Sequence, residues 1–296
     1  MNTKKYLVKE KQKVDLSDYS TTKDPEVDKT EAKEELMPAN IEAMQKWQER
    51  LYAEDKRALL IVFQAMDAAG KDGMIKHVMR GLNPQGTQVT SFKAPSLIEL
   101  DHDYLWRIHK NLPSRGNIGI FNRSHYEEVI ITRVHDLLSK RQLPEETLEG
   151  DVYGRRFQQI RHFEKYLYEN GIHVLKFFLH LSREEQAKRL LARIENPDKN
   201  WKFSAGDITE RAFWDQYQEA YEQMLEGTST DEAPWYVIPA DQKWFSRYLV
   251  SEIVKEKLEE MNPKFPTISA ENQAALAQAR EQLLEDLKLE VEREDS

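Results

Sequence analysis

A chain of 296 residues, 40% hydrophobic and 10% aromatic, has enough apolar material for one large core with extensions or for two small ones. With no cysteine it forms no disulfide or thiolate metal site; its most apolar run, Ala58 to Phe63, is far short of the ~20 residues of a membrane span, and MNTKKYLVKEKQKVD lacks a signal-peptide core, so a cytoplasmic protein is expected. The net charge of -9 argues against nonspecific DNA binding, but eight acidic and three basic residues in Ile268 to Ser296 supply -5 of it, which leaves room for a basic cleft that takes a polyanion.

Residues 1 to about 35 are rich in Lys, Asp and Thr without sustained periodicity and read as a mobile or surface-wrapped N-terminal arm. A helix is expected from near Pro38, with Ile41, Met44, Trp47 and Leu51 along one face. The apolar stretch 58–66 reads as a strand, followed by a small-residue loop and a helix from Lys71 to about Arg80. After the turn-like NPQG, TQVTSFKAP reads as extended and DHDYLWRIHKNLP as a helix ending at Pro113. GNIGIFNRSHYEEV reads as a strand over 117–121 running into a helix. A helix over about 154–169 stops at Asn170-Gly171, and IHVLKFFLHLS follows as a buried strand of the kind found in parallel sheets covered on both faces. REEQAKRLLARIENP is a helix broken by Pro197, 207–226 a further helix, PWYVIPAD a short strand and 243–261 an amphipathic helix. Strands alternating with helices predict an α/β fold with a parallel sheet. The acidic tail, 263–296, carries Leu276, Leu283, Leu287 and Val291 on one face, as a docked or oligomer-forming helix would. No repeat or linker-like tract interrupts 36–262, so one core domain is expected there.

Chemistry concentrates in three stretches. FQAMDAAGKDG, 63–73, joins a buried strand to a helix through small residues, the setting in which backbone N–H groups and a helix N-terminus cradle phosphate. The usual G-x-x-x-x-G-K-[ST] spelling is altered: Ala65 takes the place of the first glycine and Asp72 that of the hydroxyl. Ala68, Ala69, Gly70 and Gly73 are small enough for an anion to approach the backbone, and Lys71 brings a point charge. Asp67 or Asp72 offers Mg2+ the oxygen that the missing hydroxyl does not. A tight turn with a solvated lysine is the other reading.

In GIFNRSHYEEV the strand should end beside the first strand, where α/β sheets place ligands. Asn122 stands where many phosphate-loop enzymes keep a metal-binding Asp, and coordinates only weakly through its amide oxygen. Arg123 is placed to meet charge on a transferring phosphoryl group. Glu127, one turn into the helix, restores a carboxylate; alternatively, Glu127 and Glu128 are plain first-turn acids stabilised by the helix dipole. AKRLLARIENPDKNWKFSAGD sets Lys188, Arg189, Arg193, Lys199 and Lys202 around a Pro-broken hinge, as in a basic lid over about 183–212 that closes on phosphates. A solvated, ion-paired helix face is the alternative. His102, His109, His125, His162, His173 and His180 lack the acidic spacing of a zinc set and read as structural.

The combination of AMDAAGKDG, GLNPQG, SFKAPS, DHDYLWRIHKNLP, IGIFNRSHYEEV, NPDKNWKFS and TSTDEAPWYVIPAD makes the chain resemble the family-2 polyphosphate kinases from about residue 35 to 262. The resemblance implies a P-loop kinase-like parallel sheet flanked by helices, thymidylate-kinase-like, with a helical lid and a single kinase core. It implies reversible phosphoryl transfer between inorganic polyphosphate and nucleotides with Mg2+, Mn2+ being the alternative ion. The family's loop has an Asp two residues after its small-residue start, and Asp67 fills that place; Asn122 with Glu127 resembles the class that phosphorylates both AMP and ADP. On this basis Asp67, Lys71, Arg123 and Glu127 are the expected catalytic residues, with Asp67, Asn122 and Glu127 toward the metal. Phosphates are expected on residues 68–73 (Ala68, Ala69, Gly70, Lys71, Asp72, Gly73) and on Arg133, Arg189 and Arg193, and the long chain along Lys93, Arg107, Lys110 and Arg115. The expected partners are polyphosphate and AMP, ADP or ATP, without nucleic acid or membrane, in a homo-oligomer (dimer or tetramer). The rivals are an ATP-dependent nucleoside monophosphate kinase and a nucleotide-binding interaction module without turnover.

Overall fold

Unbroken apolar runs decide the architecture. The computed structural model describes residues 1–141 and 143–294, with the side chains of Lys202 and 288–294, hence that of Val291, outside the described set. Its strands β1 (Leu7–Val8), β2 (Ala58–Ala65), β3 (Thr87–Ser91), β4 (Ile118–Asn122), β5 (Ile172–His180) and β6 (Trp235–Pro239) form one sheet in the order β1-β6-β5-β2-β4-β3. β1 pairs antiparallel with β6 and every other pair is parallel. All eight residues of β2 are buried, because helices cover both faces and each side chain must be apolar or fully bonded.

The helices that matter for the site are α1 (Met37–Glu54), α2 (Lys71–Val78), α3 (Glu127–Val134), α4 (Val152–Glu169), α5 (Arg183–Glu195), α6 (Ala205–Glu210), α7 (Trp214–Thr228) and α8 (Lys243–Met261). Leu59, Ile61 and Phe63 of β2 face one layer, with Met44 and Leu51 of α1 and Leu249, Ile253 and Leu258 of α8. Leu60 and Val62 face the other, with Val129 of α3, Ile160 of α4 and Tyr221 and Met224 of α7. β2 lies between β4 and β5, so the connections after it leave toward opposite edges of the sheet, and a crevice opens at the C-terminal strand ends.

Three local expectations are revised. DHDYLWRIHKNLP is helical only over Trp106–His109. Asp103 Oδ1 takes the Leu105 N–H at 2.9 Å, a side-chain turn that competes with helix there. The expected 207–226 helix is two, α6 and α7, joined by a 3-10 turn over Arg211–Phe213. The first residues belong to the sheet-bearing unit: Val8, Val14 and Leu16 are buried, and Thr3, Leu16 and Thr21 bond to Glu256, Glu222 and Asp241.

The chain divides into two compact units, Met1–Pro263 and Lys264–Ser296. The second is built on α9 (Ala270–Glu294), whose Leu276, Leu283 and Leu287 are exposed. No described helix is long and apolar enough to cross a membrane.

Candidate active site

β2 ends at Ala65 and the chain turns through 66–70 into α2, a turn that needs positive φ at Ala68 (64°) and Gly70 (105°). α5 holds this loop from behind. Gln186 Nε2 donates to the Asp67 carbonyl at 2.9 Å, and Arg189 Nη1 donates to the carbonyls of Ala68 and Ala69 at 3.3 and 2.8 Å. With three successive carbonyls turned toward α5, planar trans peptides turn the intervening N–H groups the other way. The first N–H groups of α2 have no partner within the helix and add its positive end. The Lys71 ammonium lies beneath, donating to the Ala65 and Met66 carbonyls at 2.9 and 3.3 Å. Burial, then the nearby Arg123 charge, lowers its pKa from 10.5 to about 8.

β4 delivers the next group. Asn122 sits beside Phe63 in register, and its Nδ2 donates to Asp72 Oδ1 at 2.8 Å. Arg123 follows with a left-handed backbone (φ 62°) and pairs with Asp67 at 2.5 Å and Glu127 at 3.6 Å. Burial opposes its charge, but the carboxylates of Glu127 and Asp67 outweigh that and raise its pKa. The fully buried Gln64 locks the row from below, its amide donating to Glu127 Oε1 at 2.9 Å and accepting from Ser124 Oγ at 3.3 Å. Asp67 and Glu127 therefore flank Arg123 as hard oxygen donors of the kind Mg2+ takes, with the Asn122 amide beside them, although no cluster of three or more acidic or histidine side chains is gathered into a metal site among the described residues.

These elements line a cleft of about 950 Å3 that also takes in Lys93, Lys188, Arg193, Lys199, Lys243, Ser246 and Arg247. Arg193 is paired with Asp207 of α6 at 3.3 Å and Lys188 with Glu184 at 2.6 Å. Lys93, Lys199, Lys243 and Arg247 have no ion pair among the described residues. Burial and the neighbouring Arg189 charge lower the pKa of both Lys243 and Arg247, as happens where cations crowd, with the Glu185 carboxylate opposing the shift at Lys243. The sequence reading missed Lys243, Ser246, Arg247, Gln64 and Gln186. Lys243 and Arg247 carried a signal: cations four apart near the start of a helix sit where the dipole disfavours them, as at a place that receives an anion.

The expected residues separate under this geometry. Residues 67–73, Asn122, Arg123, Arg189, Arg193 and Lys93 line the cleft, and Glu127 stands behind Arg123. Arg189 is no free lid cation: its Nε donates to Glu185 at 2.8 Å and its Nη2 to the carbonyls of Ala240 and Asp241 at 2.6 and 3.0 Å, so with the loop carbonyls all five donors are engaged. Arg133 turns away from the cleft and lies 4.4 Å over the Tyr153 ring. Six residues beyond Glu127, it is rotated ~240° around α3 from that carboxylate. Arg107 donates to the Lys93 carbonyl at 2.8 Å and Lys110 stacks 4.1 Å over Trp106, both beside the cleft rather than in it. Arg115 precedes β4, at the opposite end of a parallel strand whose far end carries Asn122, so ~16 Å or more of sheet separates it from the site. The expected role of the Lys202 side chain lies outside the described residues.

A family model described as Polyphosphate kinase 2 (PPK2) matches residues 26–266. The chain is 48% identical over 286 residues to an ADP-polyphosphate phosphotransferase of Rhodopseudomonas palustris, covering 96% of this chain and 99% of that one. It is 45% identical over 270 residues to an AMP/ADP-polyphosphate phosphotransferase of Meiothermus ruber, covering 89% and 95%. Among solved structures, polyphosphate kinase 2 from Arthrobacter aurescens superposes with a TM-score of 0.81 at 39% identity, covering 90% of this chain and 93% of that one.

Proposed function

The chain belongs to the polyphosphate kinase 2 family, and from that premise we propose that it transfers phosphoryl groups from inorganic polyphosphate to AMP and ADP, giving ADP and ATP, in a reversible reaction. The observation that carries this is the cleft itself. A phosphate loop and Arg123 occupy its floor, and Lys93, Lys199, Lys243 and Arg247 stand around it without an ion pair among the described residues, more cationic reach than a single nucleotide's phosphates engage. The acceptor phosphate is already ionised, so an oxygen of AMP or ADP attacks the terminal phosphorus of the chain while the bond to the next chain oxygen breaks. The polyphosphate leaves one phosphate shorter.

Catalysis is then positioning and charge neutralisation. The loop N–H groups and Lys71 hold phosphates, Arg123 meets the transferring group, and Asp67 with Glu127 keeps that guanidinium aimed. Asp67, Glu127 and, weakly, Asn122 would hold Mg2+, with Mn2+ the alternative, and the bound ion would neutralise phosphate charge. Lys243 and Arg247 replace Arg107, Lys110 and Arg115 as the proposed track for the chain, and the lid with Arg193 and Lys199 closes over it. The core acts as one kinase domain, and the exposed leucines of α9 suit a homo-oligomer contact. The test is pure protein with Mg2+, polyphosphate and AMP or ADP, with products resolved by chromatography. Conversion of AMP through ADP to ATP without added ATP is expected. ADP accepted with AMP inert would refute the dual-acceptor reading, which rests on Asn122 and Glu127; a requirement for ATP would select a nucleoside monophosphate kinase.

A further inference from the structure

Below the turn that presents Arg123 lies a buried polar cluster with no role in the chemistry above. Tyr126 OH donates to Glu164 Oε1 at 2.6 Å, and Lys176 Nζ donates to Glu164 Oε2 at 2.6 Å, to Tyr126 OH at 2.9 Å and to the Thr228 carbonyl at 2.8 Å. Tyr126, Glu164 and Lys176 are each at most 1% exposed. The ammonium lies beside the Tyr126–Trp235 ring pair, 5.3 and 5.2 Å from their centroids, and Trp235 Nε1 donates to Thr228 Oγ1 at 2.9 Å. One side chain of β5 thus bolts together α4, the end of α7 and the turn before α3.

We propose that the Lys176–Glu164–Tyr126 cluster is positioning machinery for Arg123. A buried ion pair is generally no more stabilising than apolar side chains of the same volume. What it adds is direction: each of the ammonium's three donors is fixed on a separate element, whereas apolar contacts tolerate sliding. Tyr126 ties the Arg123–Glu127 turn to the cluster through its hydroxyl, beside His125, whose Nε2 lies 3.5 Å from Glu164 Oε1; it comes three residues after a guanidinium held on a left-handed backbone and one before the carboxylate that aims it. An arginine in that conformation needs surroundings that over-determine it. Gln64 and the Arg123 N–H to the Phe63 carbonyl at 3.0 Å hold the turn's start, and the Tyr126 hydroxyl holds its end. Phosphoryl transfer is sensitive to displacement of such a group by as little as ~1 Å.

The inference rests on the reading of Arg123 as the group that meets the transferring phosphoryl, and its test separates the two. Tyr126→Phe keeps the ring, and Lys176 keeps Glu164 and Thr228. It should lower kcat by roughly 10- to 100-fold with little change in the KM for ADP, and it should speed amide hydrogen exchange within 123–128 but not in β2 or β5. In an Arg123→Ala background the same substitution should cost little more, because it acts through the missing guanidinium. Should Tyr126→Phe not fold, Lys176→Met with Glu164→Leu replaces the pair by apolar groups and should show the same kcat loss. Additive losses in the double variant, unchanged exchange over 123–128, or wild-type kcat in either substituted protein would overturn the inference. Normal turnover by Arg123→Ala alone would instead refute the reading of Arg123, and with it the route by which Tyr126 acts.

Discussion

Replacing Lys71 with methionine should give a protein that is more heat-stable and almost inactive. The ammonium is buried under the phosphate loop and its pKa falls from 10.5 to about 8, burial being the largest cause. At ~1.36 kcal/mol per unit, holding that charge at neutral pH costs the free protein about 3 kcal/mol. Methionine keeps much of the volume and removes the charge, but it also takes a donor from the Ala65 and Met66 carbonyls, which offsets about 1–2 kcal/mol. A net gain of about 1–2 kcal/mol remains, or roughly 2–6 °C in Tm. Turnover should fall ~100-fold or more, because one preorganised contact to the reacting phosphates is lost. The linkage has a defined sign: between pH about 8 and 10.5 the unfolded chain holds more protons on this lysine than the folded one, so wild-type stability rises with pH across that window and the variant lacks the rise. Wild-type kcat/KM, which reports the free enzyme, should fall as pH climbs through about 8. The assays are calorimetry in phosphate-free buffer at several pH values and steady-state turnover. A variant melting several degrees below wild type would mean that the carbonyl bonds dominate, and a variant with near-normal turnover would remove Lys71 from the site.

Arg189→Lys should destabilise the protein by about 3 kcal/mol in denaturant titration and cut turnover at least tenfold, since one ammonium cannot span the Ala69 and Ala240 carbonyls; unchanged stability would restore a purely lid-like role. Asn122→Asp sets a second carboxylate where the amide now donates to Asp72 at 2.8 Å, so Tm should drop in chelator and recover with Mg2+, and an equal Tm in both conditions would argue against an ion near residue 122. Lys243→Ala and Arg247→Ala should raise the KM for long polyphosphate more than that for ADP and flatten its salt dependence, while Arg115→Ala should leave both unchanged; kinetics at several ionic strengths decide this, and a selective effect at Arg115 would refute the revised track.

Several parts of this protein were legible without coordinates because they depend on local pattern. ALLIVFQA and the run from Ile172 are strands because a central parallel strand is buried on both faces. The small residues after Ala65 with Lys71 mark a phosphate loop because that geometry is made by the backbone of a few consecutive residues. Pro197 ended α5 close to where expected, at Glu195, since proline cannot continue the hydrogen-bond ladder. Asp67, Arg123 and Glu127 lie together in the structure, as expected, because they are on or beside two strand ends that any parallel α/β sheet brings together.

Tertiary structure decided what each cation does. Arg189, Arg193 and Arg133 are alike in sequence, yet the first has all five donors engaged, the second is paired with Asp207 and the third lies on Tyr153. Lys243 and Arg247, 170 or more residues from the loop in sequence, reach its cleft because β6 lies two strands from β2 and α8 returns over the same face. Lys176 stands inside a strand whose pattern is otherwise apolar, and its hydrogen-bond partners come from α4, α7 and the turn at Tyr126. Short-range sequence specifies which segments form strands, helices and turns, because backbone sterics and burial periodicity act over a few residues. A charged side chain's role depends on which distant groups the fold leaves within 3 Å of it, and no local pattern carries that.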